Sequence, residues 1–240
     1  MTGSDEMQGV LGLDIGGANL KAAHTFGAAR SISFALWRTP EQLAGRLQFL
    51  IRELPAADVL AVTMTGELCD AFATRRAGVN AILDAVRQAT TLPVRVWRTD
   101  GRFADLDSAR ETTWQTASAN WLALATYVGR YAPEGPALLI DIGSTSTDVI
   151  PLVDGRPCPQ GRTDPERLRS GELVYTGVRR TPLCALLGSS VAAELFATTL
   201  DVYLVLGELA ENSDDCDSAD GRPATKQQAH ARLARMFLED

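Results

Sequence analysis

The chain is short of the residues that build metal cages. It has two histidines, His24 and His230, and four cysteines, Cys69, Cys158, Cys184 and Cys216, none of them in a C-x-x-C pair. A structural zinc site has no framework here, and scattered single cysteines fit a reducing compartment. With no base suggested beside them, the cysteines read as buried small side chains rather than nucleophiles. Positive charge is also scarce: 23 Lys and Arg stand against 30 Asp and Glu, for a net charge of −7. A sequence-independent nucleic-acid binder needs a basic face, so nucleic acid is not expected as a partner, and an anionic substrate would need a local basic site. No apolar run approaches the length of a bilayer span, and Met1–Gln8 has no basic segment followed by an apolar one. A cytoplasmic protein without a membrane partner is expected. Low-complexity tracts and short-period repeats are absent.

What is present is an ordinary globular composition, 45% hydrophobic and 22% charged over 240 residues, enough for one large domain or two small ones. Two segments stand out: Leu11-Gly-Leu-Asp-Ile-Gly-Gly-Ala-Asn-Leu-Lys21 and Leu139-Ile-Asp-Ile-Gly-Ser-Thr-Ser-Thr-Asp148. Each is an apolar run, then Asp-Ile-Gly, then small or hydroxyl residues, then a second strand-like run. A strand feeding such a turn exposes backbone N–H groups that can hold phosphate oxygens. An Asp at the strand end can hold a magnesium ion. Two copies half a chain apart suggest a duplicated α/β fold with a phosphate clamped between its halves.

Along the chain, strands are expected over 8–15, 19–25, 31–36, 58–65 and 94–98, the first two as a hairpin. Thr39 as N-cap, Pro40 in the first turn and Gln42 closing a capping box open a helix that runs to about Leu54. Further helices are expected over 79–90 and, as one long helix, 112–131, with Trp114 and Trp121 facing a core. Pro133-Glu-Gly-Pro136 marks the boundary between halves. The second half restarts with strands 137–142 and 147–153 and turns at Asp154-Gly155. Residues 156–180 read as a functional loop or small insertion, 190–206 as a buried helix, 211–222 as an acidic linker and 225–237 as a last amphipathic helix.

The two Asp-Ile-Gly segments resemble the phosphate loops of the actin, sugar kinase and heat-shock chaperone superfamily, including a Lys seven residues after the first Asp. The resemblance implies an actin-like (ribonuclease H-like) two-lobed ATPase-type fold, with lobes over 1–134 and 135–240. Thr63-Met-Thr-Gly-Glu-Leu68, Arg75-Arg-Ala-Gly-Val79, Ala117-Ser-Ala-Asn-Trp121, Tyr175-Thr-Gly-Val-Arg-Arg-Thr-Pro182 and Phe196-Ala-Thr-Thr-Leu-Asp-Val-Tyr203 resemble one branch. It is the hydantoinase A/oxoprolinase-like branch linked to tetrahydromethanopterin-dependent one-carbon transfer. That likeness spans nearly the whole chain. It implies a transferase of methanofuran biosynthesis that joins a furan-methyl diphosphate to a glutamyl-tyramine-like phenol and releases pyrophosphate. The Gly-rich adenosine loop of relatives is not visible after Asp148, so the second lobe reads as shortened. An ATP-dependent hydrolase or kinase of the hydantoinase A/oxoprolinase type, and a non-catalytic actin-like nucleotide-binding module, remain open as alternatives.

On this reading Asp14 and Asp141 hold Mg2+ with the diphosphate; the plain alternative is that each caps its own turn. Lys21 reaches the phosphate as a point charge, or is merely a solvated strand residue. Gly16, Gly17, Asn19, Gly143, Ser144, Thr145 and Ser146 supply phosphate-binding donors, and they are equally the residues of two hairpin turns. Asp148 acts as general base or orients the attacking hydroxyl, against a solvated strand Asp. Glu67 and Asp70 follow a strand end, where sites concentrate, or serve as acids at a helix N-terminus. Arg75 and Arg76, or Arg179 and Arg180, neutralise the leaving diphosphate, or are surface charge. Asn120 is placed to hydrogen-bond substrate and Tyr175 to stack on an aromatic ring. The cofactor is Mg2+, with ATP as a further candidate. The partners are a small-molecule diphosphate and a phenolic amine, and a homo-oligomer is compatible with the sequence.

Overall fold

The computed structural model describes residues 9–239. Gln8, the first residue of the first expected strand, lies outside the described residues. The chain divides into two compact units. The first runs to Gly135 and includes Val153–Pro157 and Arg162–Asp164; the second comprises Pro136–Leu152, Cys158–Gly161 and the chain from Pro165. Both are mixed α/β units.

The first unit is built on a six-stranded sheet. Its strands are β1 (Val10–Ile15), β2 (Asn19–His24), β3 (Ala29–Ser33), β4 (Val59–Met64), β5 (Val94–Trp97) and β6 (Phe103–Ala104), in the order β3-β2-β1-β4-β5-β6. β1, β2 and β3 form an antiparallel meander, while β4 pairs with β1 and β5 with β4 in parallel. Period-two alternation puts Leu11, Leu13, Ile15, Leu20, Leu60, Val62 and Met64 on one face, where all are buried. The helices α1 (Leu43–Arg52) and α2 (Arg75–Ala89) add Leu43, Leu47, Leu50, Val79, Ile82, Leu83 and Val86 to the same core. Each such side chain contributes about 1.5–3 kcal/mol by leaving water. The other face of the sheet carries Gly12, Asp14, Lys21, Ala23, Ala61 and Thr63.

Two expectations change here. Thr39 makes no side-chain cap bond, and Pro40–Gln42 form a 3-10 turn ahead of α1. The backbone of Thr39, at φ −138° and ψ 55°, does not take the capping conformation. α2 starts four residues before the expected 79, because Thr74 caps it by accepting from the Ala77 N–H.

The expected long helix over 112–131 is broken. The chain forms α3 (Leu106–Glu111), α4 (Thr113–Thr116) and α5 (Asn120–Val128), then a 3-10 turn over Gly129–Tyr131. Ser118, between α4 and α5, has φ +48°, a left-handed conformation that ends an α-helix. In consequence Trp121 is buried, as expected, whereas Trp114 is 63% exposed and lies outside any core.

The second unit has the strands β7 (Pro136–Ile142), β8 (Thr147–Val153) and β10 (Leu173–Val174), in the order β10-β8-β7; a two-residue strand, β9 (Arg156–Pro157), follows the Asp154-Gly155 turn. β7 occupies the place in the repeat that β1 occupies in the first unit. β1 lies between two neighbours, whereas β7 is an edge with Leu138, Ile140 and Ile142 exposed. Residues 156–180 are not simply a loop, since they contain α6 (Asp164–Ser170) and β10. Residues 190–206 are not one helix. α7 (Leu183–Leu187) ends at Gly188, and α8 (Thr199–Leu206) begins afresh at Thr198, whose capping box with Asp201 stops helix propagation from upstream. α9 (Lys226–Met236) packs on α8 through Leu200, Leu204 and Ala229.

The acidic segment 211–222 links α8 to α9, as expected, and is tied down by ion pairs. Asp215 accepts from Arg179 at 2.7 Å, and Asp220 accepts from Arg232 at 3.0 Å and Arg235 at 2.5 Å. Arg232 is fully buried and also donates to the fully buried Asp201 at 2.7 Å. Burial works against the charge of Asp220, but these donors outweigh it and hold its pKa at about 2. The cysteines divide as well: Cys158 and Cys216 are exposed, while Cys69 and Cys184 are half-buried.

One contact tests the packing of the first unit. A Cβ on Gly78 of α2 would lie 2.1 Å from the Glu67 carbonyl oxygen. Gly78→Ala gains about 1 kcal/mol of helix propensity, but the clash is with rigid backbone and costs more. Its net effect is expected to be a destabilisation of about 2 kcal/mol, read as a lowered urea midpoint at unchanged m.

Candidate functional site

The first turn is set by strand register. Asp14 on β1 lies between Lys21 on β2 and Thr63 on β4. Lys21 Nζ stands 3.6 Å from Asp14 Oδ2, with side-chain exposures of 61% and 30%. A pair this open adds little stability. The turn closes through Gly16 N–H donating to the Asn19 carbonyl at 3.0 Å. Leu36 N–H and Phe34 N–H then hold the carbonyls of Gly17 and Ala18. Gly66 backs the turn, since a Cβ there would meet Gly16 backbone at 3.1 Å.

The second turn repeats the first. Gly143 N–H donates to the Ser146 carbonyl at 2.9 Å, and Val178 and Arg180 N–H groups hold the carbonyls of Gly143 and Ser144. Asp141 precedes this turn by the spacing that Asp14 shows in the first, and it is half-buried on β7. The segment 176–181 straps the turn. Thr147 Oγ1 donates to the Thr176 carbonyl at 2.6 Å, and Thr181 Oγ1 accepts from Gly177 N–H at 2.8 Å and donates to the Thr145 carbonyl at 3.2 Å. Gly177 has no room for a side chain, because a Cβ would lie 2.5 Å from Thr145 N and 2.6 Å from Ser144 C.

Glu67 follows β4 and has no solvent exposure. Its Oε1 accepts from Arg75 Nε and Nη2, both at 3.2 Å, and from Ser118 Oγ at 2.7 Å. Arg75 Nη2 also donates to Ser118 Oγ at 2.7 Å and to Asp164 Oδ2 at 2.5 Å. Glu67 Oε2 is buried with no hydrogen-bond partner among the described residues. Burial pushes the Glu67 carboxyl up from its ordinary 4.5, and the Ser118 and Arg75 donors only partly offset it. Arg75 is thus held by two carboxylates and a hydroxyl. Ser118 and Asp164 carried no motif of their own in the sequence; the left-handed backbone at Ser118 is what aims its hydroxyl at Glu67.

Asp148 sits on β8 opposite Leu173 of β10, and its Oδ1 accepts from Arg167 Nη2 at 2.8 Å. Arg167 is 1% exposed and donates as well to the Glu172 carbonyl at 3.0 Å. Burial opposes the charge on Glu172, but the Gln160 and Gly161 N–H groups and the Ser170 hydroxyl prevail and hold its pKa below the usual range. Arg179 donates to Asp215 and to the Asp217 carbonyl at 3.1 Å. Cys69 lies near the first turn, with its Cβ 3.9 Å from where a Cβ on Gly17 would be. Burial pushes its thiol up, away from the thiolate a nucleophile needs.

The structure therefore brings together Asp14 with Lys21, Glu67 with Arg75, Asp148 with Arg167 and Arg179 with Asp215. Among the described residues no group of three or more His, Cys, Asp or Glu side chains has the arrangement of a metal cage. Arg167, Glu172, Gly177 and Thr181 went unrecognised as supports of the site, although the Thr-Gly-Val and Arg-Thr-Pro runs in 175–182 hinted at a strap.

Two outcomes check this geometry. Because the folded Glu67 binds its proton more tightly than the unfolded chain does, its contribution is present below 4.5 and is lost as pH rises towards its folded value. Glu67→Gln is expected to flatten that decline when unfolding free energy is followed from pH 4 to pH 8. Gly177→Ala is expected to displace the strap and to cost about 2 kcal/mol in the second unit, visible as a faster amide exchange at 143–147 while β1 and β2 keep their protection.

The hydantoinase/oxoprolinase family model matches residues 58–237. A protein of Methanocaldococcus jannaschii named (4-{4-[2-(gamma-L-glutamylamino)ethyl]phenoxymethyl}furan-2-yl)methanamine synthase is 32% identical over 242 aligned residues, covering 96% of this chain and 72% of that protein. A Methanococcus vannielii protein of the same name is 40% identical over 111 residues, covering 43% of this chain and 50% of its own length. Among solved structures, the nucleotide-free acetone carboxylase overlays with a TM-score of 0.42 at 14% identity over 88% of this chain and 39% of its own. An Aquifex aeolicus Ppx/GppA phosphatase overlays with a TM-score of 0.38 at 11% identity over 84% and 64%. The family match covers most of the chain and the first relative aligns along nearly all of it, so this chain belongs to the hydantoinase/oxoprolinase family.

Proposed function

We propose that the protein is a transferase that joins a furan-methyl diphosphate to a phenolic acceptor of the glutamyl-tyramine kind, releasing pyrophosphate. The name of the aligned relatives describes the aryl ether that such a step yields. The observation that carries the reading is the Asp14–Lys21 pair beside the Gly16–Asn19 turn, a half-exposed cation and carboxylate at a glycine turn. Asp141 with Gly143, Ser144, Thr145 and Ser146 repeats the carboxylate and turn in the second unit, with Asp148 in the place of Lys21, and we assign it a phosphate-binding role.

The step balances without redox chemistry. The methylene carbon–oxygen bond to diphosphate breaks, and pyrophosphate departs with the electron pair. The phenol oxygen bonds to that carbon, and the phenol proton moves to a carboxylate. Glu67 suits the last role, since burial raises its affinity for a proton and its Oε2 has no hydrogen-bond partner among the described residues; Asp148, held by Arg167, is the second candidate. Lys21 offsets charge developing on the leaving group.

The donor set around the turn fits Mg2+ that arrives on the diphosphate, an ion that needs only one or two carboxylates from protein. Asp14 would hold it at the first turn, with Asp141 in the like role at the second, and when bound it supplies charge neutralisation of the diphosphate. The family description also keeps ATP-dependent hydrolysis in view, so ATP belongs in the same experiment.

Calorimetric titration of the protein with magnesium pyrophosphate and with magnesium ATP is expected to show preferential pyrophosphate binding. Asp14→Asn is expected to abolish it and to lower pyrophosphate release from the diphosphate and phenol by about 100-fold. Preferential ATP binding with phosphate release would replace this reading by an ATP-dependent hydrolase.

A further inference from the structure

The sheet face opposite the main core of the first unit holds a cavity of about 690 Å3, within the size range of small-molecule sites. Strand register explains why it is there. Ala23, Gly12 and Ala61 lie in one row across β2, β1 and β4. Three neighbouring strands thus present almost no side chain, and a hollow is left where a core would otherwise fill. The next row on the same face is Lys21, Asp14 and Thr63. Trp97 and Phe103 line one side, with ring centroids 4.9 Å apart and edge to face. From α5, Ala123, Thr126 and Tyr127 line the other, and Arg130 stands over the Tyr127 ring at 5.4 Å.

We infer that this cavity is the binding site for the aromatic part of an arylmethyl diphosphate, with its ring among Trp97, Phe103 and Tyr127 and its diphosphate towards Lys21. The inference rests on the transferase reading above and adds to it the location and chemistry of the ring site.

Three features select this occupant. The floor of small residues lets a flat ring lie close to the sheet. The aromatic faces attract positive charge, which develops on an arylmethyl carbon as its diphosphate leaves, and an apolar cavity keeps water from trapping that carbon. The polar row begins where the apolar one ends and puts Lys21 at the anionic end, while the Arg130 guanidinium lies against the Tyr127 ring. Two buried polar atoms of lining residues, Thr63 Oγ1 and Trp97 Nε1, have no partner among the described residues. A ring heteroatom such as a furan oxygen would give the indole N–H an acceptor.

Two stable probes differing only in the ring test this: the benzyl and methyl monoesters of methylenebisphosphonate, titrated with Mg2+. The benzyl ester is expected to bind at least tenfold tighter, and Ala61→Leu, which fills the small-residue row, is expected to erase that preference while the methyl ester binds as before. Ala23→Phe, at an exposed position of β2, repeats the test should Ala61→Leu fail to fold. Equal affinity for the two esters in the unaltered protein overturns the ring site and leaves the diphosphate reading intact. A third arm uses 4-ethylphenol, a neutral ring, with Trp97→Phe identifying the emission change that arises in the cavity. If neither ester binds but 4-ethylphenol quenches Trp97, the ring site stands and the diphosphate reading falls. If nothing binds in any arm, both are overturned.

Discussion

Glu67 has no exposure to solvent, and the cost of burying its carboxylate organises the first unit. A buried carboxylate needs donors, and Arg75 and Ser118 supply them. Arg75 is the first residue of α2, so meeting that need fixes where the helix starts against the sheet. Ser118 reaches Glu67 from a left-handed backbone that costs about 1–2 kcal/mol, and this is where an otherwise continuous helical run breaks into α4 and α5. The glycine at position 78 belongs to the same constraint, because α2 approaches the Glu67 backbone too closely for any side chain. The buried acid, the helix start and the helix break are consequences of one arrangement.

The same economy governs the turns. Gly16 and Gly143 close their hairpins with the same hydrogen bond, to Asn19 and to Ser146. The second is additionally strapped by 176–181, and Gly177 is the residue whose missing side chain allows it. The units differ in what flanks the repeated strand. β1 has a neighbour on each side and its Leu11, Leu13 and Ile15 are buried; β7 is the last strand of its sheet among the described residues, and the corresponding Leu138, Ile140 and Ile142 are exposed.

Much of this was legible beforehand because strands and turns declare themselves locally. β1, β2, β4, β5, β7 and β8 fall within one or two residues of the alternating apolar runs, and both hairpins stand where Gly, Asn and Ser cluster. α1, α2 and α9 follow helical periodicity, although the Thr39 capping signal was overridden by local backbone geometry. Regions governed by distant partners were less legible. The acidic run at 211–222 reads as a linker, and only the fold brings Arg179, Arg232 and Arg235 to it. Trp114 and Trp121 share one helical period on paper, and only the break at Ser118 sends one outward. Arg75 and Arg179 have the composition of phosphate ligands, yet folding gives each a carboxylate of its own.

The sequence by itself determined the α/β class and the two Asp-Ile-Gly hairpins. These depend on residues a few positions apart, whose alternation and turn chemistry leave one register. Only the tertiary structure decided which charges are spent on each other, which glycines are obligatory and where a cavity opens. Those outcomes depend on residues from 8 to 89 positions apart meeting in a medium of low dielectric, where an unpaired carboxylate is expensive. They depend equally on three small residues from three strands falling into one row, which no local pattern records.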